Sequence, residues 1–224
     1  MNLLGRGNNP KFWSDEVRNK DCFVDFRNLV LGDWKTRCEN KQIEAFKYSE
    51  FAMFGINGNR SVYQESYFNR RKMLNCSALL SLIYPEEEKY FVFLEDLIFA
   101  TCNEYTWALP AHQPDLLTKS NKCHLDLFAC ETGFTLAQIY TMLGNRLSPL
   151  IKNMIETEIE YRIISPYLEN KDDNKKLWWI SCEMNWAAVC AGSIGCTVML
   201  MRPDLFNNLC SSINKTIQCY LNGF

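Results

Sequence analysis

Seven side chains in this sequence have the chemistry of a site. Glu104, Tyr105, Trp107 and His112 share one short stretch, Glu131 follows, and Asn185 and Trp186 are adjacent. Glu104 and Glu131 are the one attractive pair of carboxylates for acid–base hydrolysis of a glycosidic bond. His112 could exchange a proton near neutral pH. The indoles of Trp107 and Trp186 offer flat faces that suit the apolar C–H face of a pyranose ring. Each residue also has a plainer reading. Glu131 lies in an apolar helical stretch and could be a buried acid paired with Arg70 or Arg71. His112 could be a packing or surface histidine, and any one tryptophan is by default core, as Trp178 and Trp179 are expected to be. The sequence has no Gly-rich phosphate loop, no G-x-S-x-G and no H-E-x-x-H, so no cofactor is called for.

These residues need elements to position them, and the apolar spacing supplies helices. From Asn59 to about Tyr84, Val62, Tyr63, Tyr67, Arg70, Leu74 and Ser77 recur at three and four, and Pro85 ends the pattern. A partner helix over about 86–102 opens on three glutamates and presents Phe91, Leu94, Leu97, Ile98 and Phe99. Residues 103–121 form a loop, because Pro110 and Pro114 forbid a regular helix. A second hairpin starts near 123, stops at Gly144 and resumes at Ser148-Pro149, an N-cap and N1 pair. Ile151, Ile155, Ile159 and Ile163 then repeat every four, and Pro166 is expected to close the helix. The third hairpin joins the run 178–201 to a helix over 203–221. Residues 1–58 read as an N-terminal helical segment packed on the body, with a helix over 41–54 broken at Gly55 and Gly58. The fold class is all-α, built of αα-hairpin repeats over 59–224, an array that curves into solenoids or closes into toroids.

The run Trp178–Met201 is the longest apolar stretch. Its 24 residues could span a bilayer, but Glu183 and Asn185 lie inside it, and intramembrane acids are costly. It reads instead as a central helix buried all round, with Ala188, Gly192 and Cys196 letting another backbone approach. Glu183 and Asn185 would then be satisfied core groups or the floor of a site. A net charge of −2 gives no electrostatic case for nucleic acid or for an anionic membrane. Eleven cysteines with no C-x-x-C, and an opening MNLLGRGNNPKFW with no leader pattern, suggest reduced thiols in the cytoplasm. His112 and His124 are the only histidines, and with Cys123 they make no metal-binding spacing.

Three phrases carry a resemblance: NEYTWALPAH at 103–112, LDLFACETGFTLAQIYTMLGNRLSP at 125–149, and the segment from WW at 178 through NWAAVCAGSIG. In order and spacing they resemble the N-terminal helical domain of heparinase II/III-like polysaccharide lyases, over roughly 59–222. The resemblance implies part of an incomplete (α/α) toroid and β-elimination on uronic-acid glycans. It implies that Asn185 hydrogen-bonds the uronate carboxylate, with His112 and Glu131 as further catalytic candidates. Trp107, Trp186, Glu104 and Tyr105 are the substrate-binding candidates. Related lyases carry an Asn-His pair where this chain has Asn185-Trp186, so no histidine is expected there. The family's catalytic tyrosine would follow the last helix, so the sequence reads as a truncated piece, inactive alone, with apolar surface for a homo-oligomer. The expected partner is an acidic oligosaccharide or polysaccharide. A glycoside hydrolase and a non-catalytic carbohydrate-binding module are the alternatives.

Overall fold

A computed structural model describes residue 7 and residues 9–119 and 121–223. Residues 1–6, where the absence of a leader is read, and Phe224, where the truncation is read, lie outside the described residues. Among the described residues every regular element is helical. A π-helical turn (Phe12–Val17) leads to α1 (Val24–Arg37), which turns Val30 and Trp34 inward. After an extended stretch come α2 (Tyr48–Asn57) and the long α3 (Ser61–Ile83). Tyr84 then leaves the helical region, as a residue before proline must tend to do. The next helix, α4 (Glu88–Cys102), buries Leu94, Leu97, Ile98 and Thr101 at three-and-four spacing.

The second hairpin begins at Asp126, whose Oδ1 accepts the Ala129 N–H at 2.7 Å and caps α5 (Leu127–Leu143). Pro149 opens α6 (Pro149–Ile159). Ser148 makes no side-chain cap, and its backbone N–H donates to Glu95 at 2.7 Å instead. Pro166 does not end this helix, contrary to the sequence expectation. A wider π-type segment (Glu160–Ile164) leads into α7 (Ser165–Asn170). Proline has no N–H to donate one turn back, and the wider turns accommodate that missing bond. Ile151, Ile155, Ile159 and Ile163 are all buried, as their spacing requires.

The third hairpin is α8 (Asn185–Met201) with α9 (Phe206–Leu221). α3 packs on α1 and α4, α5 on α6 and α8, α8 on α9, and α4 on α6. Three sequential hairpins are therefore present, beginning at Ser61, Leu127 and Asn185. No described helix is long and apolar enough to cross a membrane.

Several further expectations need correction. Residues 41–47 are not helical, and α2 starts only at Tyr48. Gly55 lies within that helix, because Leu117 packs where its Cβ would be, and Gly58 at φ +77° ends it. The run from Trp178 is not one helix. A 3₁₀ turn (Trp178–Ser181) precedes a break, so Glu183 and Asn185 are exposed rather than buried. α8 itself is buried on one face only, and a Cβ on Gly192 would meet nothing within 4 Å. Phe99, expected inward, is exposed.

Candidate functional site

The loop after α4 is held by arginines. Glu104 has a side chain only 1% exposed and accepts from both Arg70 and Arg71 of α3. Arg71 binds it bidentately, at 2.7 Å from Nη1 to Oε1 and 2.6 Å from Nη2 to Oε2. Arg70 Nη1 reaches Oε1 at 3.0 Å, and its other terminal nitrogen donates to the Glu44 carbonyl. Burial alone would lower the Arg71 pKa, but Glu104 raises it above the usual arginine range, so Arg71 stays charged. From the other side Arg162 donates to the Glu104 carbonyl at 2.8 Å and lies 5.0 Å from the centroid of the Trp107 ring.

This arrangement reassigns two expected site residues. The acid paired with Arg70 and Arg71 is Glu104, not Glu131. Trp107 is 1% exposed, with its Nε1 donating to the Thr101 carbonyl at 2.8 Å, so its faces are packed against protein rather than open to a sugar. Glu104 and Glu131 are not brought to one cleft, so the geometry does not assemble the hydrolase pair.

His112 and Trp186 do come together, and Asn185 neighbours them only through the chain, next to Trp186. The 3₁₀ turn Pro110–His112 sets the imidazole against Asp126, with Nδ1 at 2.7 Å from Oδ2. That oxygen also accepts the Leu109 N–H at 3.1 Å, so the carboxylate is wholly engaged and has 0% side-chain exposure. A carboxylate can only accept, which puts the proton of neutral His112 on Nδ1 and leaves Nε2 to exchange protons. The ring stacks near-parallel on Phe128 at 5.7 Å and meets the edge of Trp186 at 4.8 Å. Trp186 in turn lies 4.9 Å from Trp178. Trp178 is 42% exposed and is not core, whereas Trp179 is buried and donates to the Leu125 carbonyl at 2.9 Å.

A groove of about 600 Å³ runs between α3, α5 and α8 from this cluster. Phe128 belongs to both. Glu131 and Thr135 line one wall, Arg71 and Asn75 another, and Ala188, Gly192, Ser193 and Cys196 the third. The small residues therefore border open space rather than a second backbone. Asn185 opens the same face of α8, one turn before Val189. Glu131 is exposed, and partial desolvation with the charge of Asp126 pushes its pKa up. Tyr105 lies elsewhere, on a separate cavity with Glu104.

From the sequence alone, Asp126 is not singled out, Trp178 is expected in the core, and Arg71 is expected beside Glu131. Asp126 carries a readable signal, an acid directly before an apolar helix. Its union with His112, fourteen residues earlier, is a matter of loop geometry. Among the described residues no group of three acids, histidines or cysteines could hold a metal ion. The chain matches no family model and no curated protein.

Proposed function

We propose that this chain is the N-terminal hairpin part of an incomplete (α/α) toroid in a polysaccharide or oligosaccharide lyase, and that a uronate-containing glycan lies in the groove between α3, α5 and α8. The observation that carries the reading is the Asp126-oriented His112 stacked on Phe128 of the groove and set against Trp186, with the exposed Trp178 beyond it. β-Elimination needs the uronate carboxylate neutralised so that charge can build up as the C5 proton leaves. In this reading the Asn185 carboxamide, exposed at the start of α8, donates to it. His112 Nε2 takes the proton or returns one. The electron pair forms the C4–C5 double bond, the C4–O bond breaks, and an acid protonates the leaving oxygen. Trp178 and Trp186 give a neighbouring sugar an aromatic platform.

Binding is the first requirement and is directly measurable. Trp178 and Trp186 make tryptophan fluorescence a reporter of the groove. A tetragalacturonate titration should change the emission saturably, whereas cellotetraose should bind at least about tenfold more weakly. Asn185→Ala and Trp186→Ala should each weaken the acidic ligand by about tenfold, the loss of one good polar or stacking contact. Equal affinity for the neutral and acidic tetramers would overturn the uronate assignment. Where turnover occurs, it should appear as the ultraviolet absorbance of an unsaturated uronate and vanish in His112→Ala.

A further inference from the structure

A second cavity lies on the far side of the Arg70–Glu104–Arg71 cluster from the groove. Its volume is about 790 Å³, and Arg70 and Glu104 line it, while Arg71 lines the groove. The extended stretch 43–47 and the start of α2 form one side, the end of α4 a second, and residues 116–119 a third. Leu117 sits close over Gly55, which brings that third side against α2. The walls are apolar and largely aromatic: Phe46, Phe51, Tyr63, Phe99 and Leu116. Phe99, Tyr48, Tyr105 and Leu117 are among the chain's exposed large apolar side chains, and all four belong to this one cavity.

Two features at the inner end are polar. Glu104 faces two guanidiniums, so the cluster holds one more positive charge than negative. The Arg70 guanidinium lies 3.7 Å from the centroid of the Phe46 ring, inside the aromatic wall. Tyr63 is only 3% exposed and lines the cavity, and its hydroxyl has no hydrogen-bond partner among the described residues. Burial, then the charge of Glu104, raises the Tyr63 pKa far above its usual value, so the hydroxyl remains a donor. The hydroxyl is not sealed in the core: it opens to the cavity, where an acceptor can reach it. At the rim the cations are already matched, Lys47 by Glu50 at 3.0 Å and Lys119 by Asp115 at 2.8 Å. The Arg70 guanidinium and the Tyr63 hydroxyl therefore lie together at the inner end, beside aromatic walls.

We propose that this cavity is a binding site for a small carboxylate with an apolar, ring-bearing body. The carboxylate accepts from the Tyr63 hydroxyl beside Arg70, and the body packs against Phe46, Phe51 and Phe99. A concave, mostly apolar cleft with a few convergent polar groups is the usual form of a small-molecule site. The site is separate from the glycan groove and does not depend on the lyase reading.

The test is calorimetric titration of the whole chain with 4-phenylbutyrate and with 4-phenylbutanol, which share a body and differ in the acid. Saturable one-to-one binding of the acid is expected, at least about tenfold tighter than the alcohol. Tyr63→Phe removes only a hydroxyl that touches no protein group, so the fold is retained. It should weaken the acid about tenfold and leave the alcohol unchanged. Ala100→Trp, which fills the cavity from α4, should abolish both without changing the tetragalacturonate titration of the groove. No saturable binding of the acid, equal binding of the two ligands, or acid binding unchanged in Tyr63→Phe would each overturn the proposal. Loss of tetragalacturonate binding with phenylbutyrate binding intact would count against the groove alone.

Discussion

Glu104→Gln is the substitution that best separates a structural from a catalytic reading of this chain. Glu104 is a carboxylate among arginines in a loop that the sequence marks as rich in site residues, so it could be taken for a general acid. The structure makes it the counter-charge of two guanidiniums, with three contacts of 2.6 to 3.0 Å. Glutamine has nearly the same shape but no charge, and its single carbonyl oxygen cannot accept from both sides of the Arg71 fork. Removing one partner of a buried ion pair leaves the other charge uncompensated, which destabilises by about 3–5 kcal/mol. Two guanidiniums are stranded here, although Arg71 keeps Thr132 as an acceptor at 2.9 Å and Arg70 keeps the Glu44 carbonyl. Those remaining acceptors favour the lower half of the range. A domain of this size shifts its melting temperature by about 2–4 °C per kcal/mol, which gives a fall of roughly 6–16 °C. Thermal and urea melts of both proteins measure it directly. Because the pair is buried, the loss should persist in high salt, where surface pairs are screened. A melting point within about 2 °C of the parent would refute the structural assignment of the cluster. Unchanged stability with lost turnover would return Glu104 to the catalytic list.

Three further outcomes follow from particular contacts. Gly133→Ala puts a Cβ 2.7 Å from Ile163 Cγ1, which the π-type segment holds against α5, so stability should fall by about 1–3 kcal/mol in urea melts. A change below about 0.5 kcal/mol would mean that Ile163 moves freely. Asp126→Asn keeps an N-cap residue of equal rank but leaves one carboxamide oxygen to serve Ala129, Leu109 and His112. A buried N–H then loses its acceptor, and a loss of about 1–3 kcal/mol is expected from the same assay. Burial, opposed by Asp126, lowers the His124 pKa below 6.5, so the unfolded chain binds this proton more tightly than the folded one. Its contribution therefore falls as pH drops below about 6.5. In His124→Gln the gap between urea midpoints at pH 7 and pH 5 should narrow; an unchanged gap would refute the assignment.

The hairpins were legible because burial on one helical face writes itself into sequence at three and four residues. Ile151, Ile155, Ile159 and Ile163 are inward for that reason, and Leu209 and Ile213 likewise. The failures have a common cause, which is that apolar composition does not distinguish a buried side from an open one. Trp178–Met201 reads as buried all round, yet its small residues line a groove and Trp178 stands at its end. A cleft wall must exclude bulk without presenting charge, so it uses the same alanines and glycines that a tight helix contact uses. Phe99 reads as inward for the same reason, since a cavity mouth needs apolar residues as much as a core does. His112 and Trp186, both singled out in the resembled phrases, do meet in the structure, but the partner that fixes the imidazole was not legible. Asp126 announces itself as a helix cap, and nothing in its spacing shows that one oxygen serves the helix while the other holds a histidine from the preceding loop. The reversal between Glu104 and Glu131 has the same origin. Both are acids in segments rich in apolar residues, and only the path of the loop after α4 decides which of them meets the two arginines. Contacts made within a helix are encoded by period, whereas contacts made by a loop folding back are encoded by the whole chain at once.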